Sequence, residues 1–182
     1  MALLLDLLTA LLCVILAWQD LRSRKVSLLI ILLLFVSLST SSVLVNSFTT
    51  AASVFIVNFL LTAIYLLALF GWFAIRKKKL INIFDSFLGL GDALFLICLC
   101  AAFSGPNFIA FITISLLLTL VSTFAIAAAD KLVPQLVKKA QNPHIPLVTY
   151  LGTFYIILLI FKHMNPGFDP YDEAWLLSNF YE

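Results

Sequence analysis

FLGLGDALFLICLC, residues 87–100, carries one carboxylate, Asp92, behind two glycines and ahead of a long apolar run. That run is too hydrophobic to be an ordinary solvated loop. The chain's 182 residues are 63% hydrophobic and 11% charged, with a mean hydropathy of +1.13. Soluble domains carry about a quarter charged residues. The chain is therefore read as an integral membrane protein, and a carboxylate at lipid depth is costly unless it faces the bundle interior and has work to do there.

A spanning helix needs roughly 20 apolar residues. The sequence predicts an all-α polytopic protein of about six such helices, forming one domain over residues 1–182. The predicted spans are 2–18, 26–45, 51–75, one from Gly91 to just before "SGPN" (104–107), 108–129 and 147–161. None of these runs alternates with the period of two that a membrane β-barrel requires. The polar segment "SLSTSSVLVNS" (37–47) is compatible with a span, because hydroxyls can bond back to their own helix or across to a neighbour. The start, "MALLLDLL", has no basic segment and carries Asp6, which predicts a retained first helix rather than a cleaved leader.

Arg22, Arg24, Lys25, Arg76, Lys77, Lys78, Lys79, Lys131, Lys138 and Lys139 fall in the loops after predicted spans one, three and five. Lys162 alone falls on the other side, together with the acidic tail residues Asp169, Asp172, Glu173 and Glu182. Basic loops stay in the cytoplasm, so both termini are expected outside. The RKKK run (76–79) is read as a lipid head-group anchor. The small net charge of +2 gives no reason to expect nucleic acid.

Asp92 has a counterpart. "AWQDLRSRKVS" (17–27) puts Asp20 where the first span meets the cytoplasm, and Asp92 lies where the fourth span leaves it. Two carboxylates at one depth in a helix bundle can share a proton and activate a water, the chemistry of an aspartic protease. Each also has a plain structural role open to it, Asp20 as a solvated interfacial residue and Asp92 as a helix cap. Gly89 and Gly91 favour more than a cap, since they would let a backbone or a substrate strand approach closely. Asp6 belongs to the opposite face, Asp85 can pair with the basic run, and Asp130 stands beside Lys131. His144 and His163 fall on opposite sides, which speaks against a two-histidine metal site. H-E-x-x-H and G-x-S-x-G are both missing from the sequence. No metal or cofactor is therefore expected. Cys13, Cys98 and Cys100 lie in apolar runs without a C-x-x-C pair and read as packing residues.

Three stretches resemble the type IV prepilin peptidases, a group of GxGD-type intramembrane aspartyl proteases. They are "DLRSRKVS" (20–27), "GLGD" (89–92) and "PHIPLVTYLG" (143–152), the last similar to an Ile-Pro segment that leads into the family's final span. The resemblance implies a short form without the cysteine-bearing methyltransferase domain of larger members, in a bacterial or archaeal cytoplasmic membrane. It implies cleavage of the basic leader of a type IV pilin-like precursor, with Asp20 and Asp92 as the catalytic pair. Gly89, Gly91 and Pro146 would shape the site. The expected partners are a prepilin-like protein substrate and membrane lipids. Two positions depart from the family pattern: Val26-Ser27 stands where Ile-Pro is common, and Leu94 where Lys is common. The alternative reading is a non-catalytic, peptidase-like scaffold in a pilus or secretion assembly.

The orientation has a direct check. A cysteine introduced near Asn46 should react with an impermeant thiol reagent from outside, and one near Lys78 only after permeabilisation. The reverse labelling would contradict it.

Overall fold

The computed structural model describes residues 2–23, 26–77, 89–132, 147–165 and 167–172. These residues form six helices: α1 (Ala2–Ser23), α2 (Leu28–Val45), α3 (Phe48–Lys77), α4 (Leu90–Leu99), α5 (Gly105–Leu132) and α6 (Leu147–Met164). No strand occurs among them. All but α4 are long and apolar enough to cross a membrane.

The side chains sort as lipid requires. Leu32, Leu33, Ile56, Leu60, Ile64, Leu67, Leu117, Val121 and Phe124 are exposed, whereas Thr9, Ser37, Asn58, Thr62, Ser115 and Thr119 are buried. A soluble monomer does not expose apolar surface on this scale. Together with the helix lengths, this makes the chain a multi-pass α-helical membrane protein. The hydroxyl-rich stretch of α2 behaves as expected. Ser37 Oγ meets Thr9 Oγ1 of α1 at 2.8 Å, and Thr40 bonds back to the Val36 carbonyl.

The frame of the bundle is an antiparallel pair, α1 against α6. In α1 the buried stripe is Asp6, Thr9, Cys13, Leu16 and Asp20, a spacing of three and four residues. In α6 it is Val148, Gly152, Tyr155 and Leu159, ending at the part-buried Lys162, with the same spacing. Such a spacing keeps a single stripe on one side of a helix. Gly152 brings the two backbones together, since a Cβ there would lie 3.7 Å from the Cys13 carbonyl oxygen and from Phe95 Cζ. Fourteen residues separate the two ends of each stripe, about 21 Å of helix. At one end Asp6 accepts from Lys162 Nζ at 3.1 Å and lies 3.3 Å from His163 Nε2. At the other end stands Asp20.

The fourth predicted span is corrected by the structure. The apolar run does not stay helical as far as "SGPN". The helix α4 has 10 residues, about 15 Å against a hydrocarbon core of about 30 Å. The chain then turns through Cys100–Ser104 in the bundle interior. Asn58 of α3, fully buried, stabilises that turn by donating from Nδ2 to the Cys100 and Phe103 carbonyls at 3.0 and 2.9 Å. Phe103 stacks on Phe111 of α5 at 4.6 Å and meets Tyr155 of α6 edge-on at 5.6 Å. The segment after α6 folds back onto the same turn. The Ser104 N–H donates to the Pro170 carbonyl, and Asn107 Nδ2 donates to those of Pro170 and Asp172. Hydrophobicity counts residues that suit lipid; it does not register that a side chain on another helix can satisfy the carbonyls of a turn at that depth.

Asn58→Ala should therefore loosen the α4–α5 turn, since two buried carbonyls lose their donor. Unfolding in mixed micelles should show a loss of about 1–2 kcal/mol. An unchanged transition would mean that Asn58 does not hold the turn.

Candidate functional site

The site is built from three helix ends. Asp20 lies one turn before the end of α1 and is 7% exposed, four residues along the buried stripe from Leu16. Asp92 is in the first turn of α4 and is half-buried. Between them comes the start of α6, Leu147–Val148–Thr149. The first N–H groups of a helix have no partner within it, and here two consecutive ones take two different aspartates. The Val148 N–H donates to Asp92 Oδ1 at 3.2 Å, and the Thr149 N–H to Asp20 Oδ2 at 3.1 Å. Thr149 Oγ1 adds a second bond to Asp20 Oδ2 at 2.9 Å and lies 3.3 Å from the Ala17 carbonyl oxygen.

Successive Cα atoms are about 3.8 Å apart, so the two bound oxygens lie within about 10 Å of each other. The helix dipole adds to the arrangement, because the α6 N-terminus favours negative charge at this spot. Asp92 has a further tie, its Oδ2 accepting from the Gly89 N–H at 2.9 Å in the manner of a capping residue.

The two carboxylates expected as a pair from sequence are thus brought together, at the end of the bundle opposite the Asp6–Lys162 pair. Asp6 is engaged at that far end, as its position in the sequence suggested. The clearance expected at Gly91 is taken up by the protein itself. A Cβ there would stand 2.8 Å from Val26 Cγ2, so Gly91 lets the α1–α2 connection pack closely against α4. At Gly89 a Cβ would lie 3.1 Å from Asp92 Oδ2, so this glycine seats its own carboxylate. Leu94, where the resembling family has Lys, packs against the hydrophobic core. Pro146, Asp85 and His144 lie outside the described residues, and the Asp130 side chain is not described either. Among the described residues no three His, Cys, Asp or Glu side chains cluster as metal ligands.

Sequence reasoning missed Val148 and Thr149. A backbone N–H leaves no mark in a sequence. A threonine just after a proline, where a helix begins, was the available signal for the second. Asn58 was missed as well, although a lone asparagine inside "SVFIVNFLLTAIY" (53–65) marks a polar contact within a bundle.

No family model matches the chain, and neither a curated protein nor a solved structure matches it.

These bonds separate two kinds of variant. At position 20 asparagine keeps an oxygen for the Thr149 N–H, whereas leucine leaves that amide unpaired at a cost of about 1–3 kcal/mol. Asp20→Asn should therefore keep a Tm in detergent close to that of the parent, and Asp20→Leu should lower it by several degrees. Equal Tm values for the two would mean that the Thr149 contacts carry no stability.

Proposed function

We propose that the chain is an intramembrane aspartyl endopeptidase similar to the type IV prepilin peptidases, cutting the basic leader from a pilin-like membrane precursor. The observation that carries this reading is the pair of adjacent α6 amides, Val148 and Thr149, whose hydrogen bonds hold Asp92 and Asp20 within about 10 Å of each other. The sequence resemblance at GLGD (89–92), and the upstream Asp20 in its basic setting, point to the same chemistry. The ten bases on one side favour a cytoplasmic site, with both termini outside.

The reaction needs the pair to hold one proton between its carboxyl groups. The ionised carboxylate takes a proton from a water lodged between them as its oxygen attacks the scissile carbonyl carbon. The protonated partner donates to the carbonyl oxygen. In the collapse of the tetrahedral intermediate the C–N bond breaks, and the amine leaves with a proton from the pair. The α6 amides and the Thr149 hydroxyl hold both carboxylates in place, so that little reorganisation is required at the moment of attack. No step calls for a metal or a cofactor.

A second reading has its own support. Both carboxylates have backbone partners of the kind that caps have, and Leu94 leaves the site without the family's lysine. In that reading the pair ties α1 and α4 to α6 in a non-catalytic scaffold.

One assay separates the two. The purified protein is reconstituted with a single-span peptide carrying a Lys/Arg-rich leader and a glycine before its apolar helix. The parent should cleave it, and Asp20→Asn and Asp92→Asn should each lose at least about 10³-fold in kcat/KM while staying folded. Asp6→Asn should retain most activity. Cleavage that survives in either of the first two variants would rule out the aspartyl mechanism.

A further inference from the structure

When water adds to the scissile carbonyl, the carbonyl oxygen becomes negatively charged and is stabilised by donors placed in advance. The protonated carboxyl of the pair supplies one. The backbone amides that meet the pair, those of Gly89, Val148 and Thr149, are already committed to the carboxylates. A further donor must therefore be a side chain that reaches the same space. A groove of about 980 Å³ between α3 and α5 has Asp92 in its lining, together with the hydroxyl side chains Thr62, Tyr65, Thr113 and Thr119. Each threonine donates to the carbonyl four residues back in its own helix. The Tyr65 hydroxyl is bonded to no described residue, and Tyr65 is 40% exposed. Among the described lining it is the uncommitted donor.

The α3 stripe that carries Tyr65 is the one that meets α4. Asn58, Thr62, Tyr65 and Leu69 recur at spacings of four, three and four and so share one side of the helix. Asn58 Nδ2 donates to the Cys100 carbonyl at 3.0 Å, and Thr62 Oγ1 lies 3.3 Å from Cys100 Sγ. Cys100 stands at the C-terminal end of α4, whereas Asp92, which shares the groove with Tyr65, is in its first turn, so α3 and α4 run antiparallel. Tyr65 is seven residues beyond Asn58, and the same seven counted back from Cys100 reach Ala93, the neighbour of Asp92. Both steps are about 10 Å of helix, which brings Tyr65 and Asp92 to one level. We propose that Tyr65 is a further catalytic residue, its phenol O–H donating to the scissile carbonyl oxygen of the bound peptide. The inference rests on the peptidase reading. The phenol keeps its proton throughout: its hydrogen bond strengthens as charge builds on the oxygen, and the leaving amine still takes its proton from the carboxyl pair.

The test is Tyr65→Phe in the full-length protein, reconstituted with the same single-span leader peptide. The variant should lower kcat about 10²-fold with KM within about twofold, the mark of an interaction made in the transition state. Its Tm should match the parent's, because the hydroxyl bonds to no described residue. A kcat within about twofold of the parent's, or a loss confined to KM, would overturn the assignment. A binding measurement tests the same contact without cleavage. In Asp92→Asn protein, Tyr65→Phe should weaken binding of the peptide about fivefold. It should leave unchanged the affinity for an analogue in which a trans carbon–carbon double bond replaces the scissile amide, since that analogue has no carbonyl oxygen to accept. Equal weakening of both ligands, or of neither, would remove the contact. A parent that fails to cleave while this difference persists would remove the peptidase reading and leave Tyr65 as a donor to a bound peptide.

Discussion

The first turn of α6 presents consecutive N–H groups that a helix cannot satisfy from within, and it is here that the bundle is tied together. The Val148 N–H donates a hydrogen bond to Asp92 of α4, and the Thr149 N–H donates one to Asp20 of α1. Three helices far apart in the chain therefore meet at two adjacent peptide units. These part-buried amides have no partner within their own helix, so one left unpaired would cost about 1–3 kcal/mol. The need to satisfy a helix start is thus the same need that holds two carboxyl groups near each other. A carboxylate pair arises at no extra cost in buried donors, and the structural contact and the proposed chemistry share the same atoms.

That contact depends on the alignment of α1 and α6. Each presents one stripe of equal length, and the pairing of Asp6 with Lys162 at one end sets the register that brings Asp20 to Thr149 at the other. A slip of one turn, about 5.4 Å, would separate both pairs at once. The helix α4 can be short because its far end is finished by other groups: Asn58 from α3, the aromatic stack of Phe103 with Phe111 and Tyr155, and the returning segment around Pro170. A short helix leaves α3 and α5 without a full-length neighbour between them, and Leu61, Tyr65, Ile112, Leu116 and Asp92 line a groove there.

Composition and the basic residues sufficed to read a polytopic helical protein from the sequence, since lipid leaves a long apolar run few alternatives to a helix. That Asp20 and Asp92 lie at one end of the bundle was legible too, because two helix ends on one side of a membrane lie at one depth wherever the helices stand; that α6 stands between them was not. The stripe Asp6, Thr9, Cys13, Leu16, Asp20 was present in the sequence as a three-and-four spacing, and it marked the buried side of α1. Lys162 was legible as the lone base on the face of Asp6, though its pairing was not.

Tertiary structure alone decided the rest. Which helix neighbours which follows from side-chain fit, and in an apolar chain the hydropathy of one span is much like that of another. The length of α4 depended on a donor from α3, so no local property of residues 87–103 could reveal it. The role of Gly91 depended on Val26 being there to fill the space. The donors to the two aspartates are backbone amides at a helix start, a feature every helix has. What gives those amides a function is the position of α6 between α1 and α4, and position in a bundle is set by packing rather than by sequence pattern.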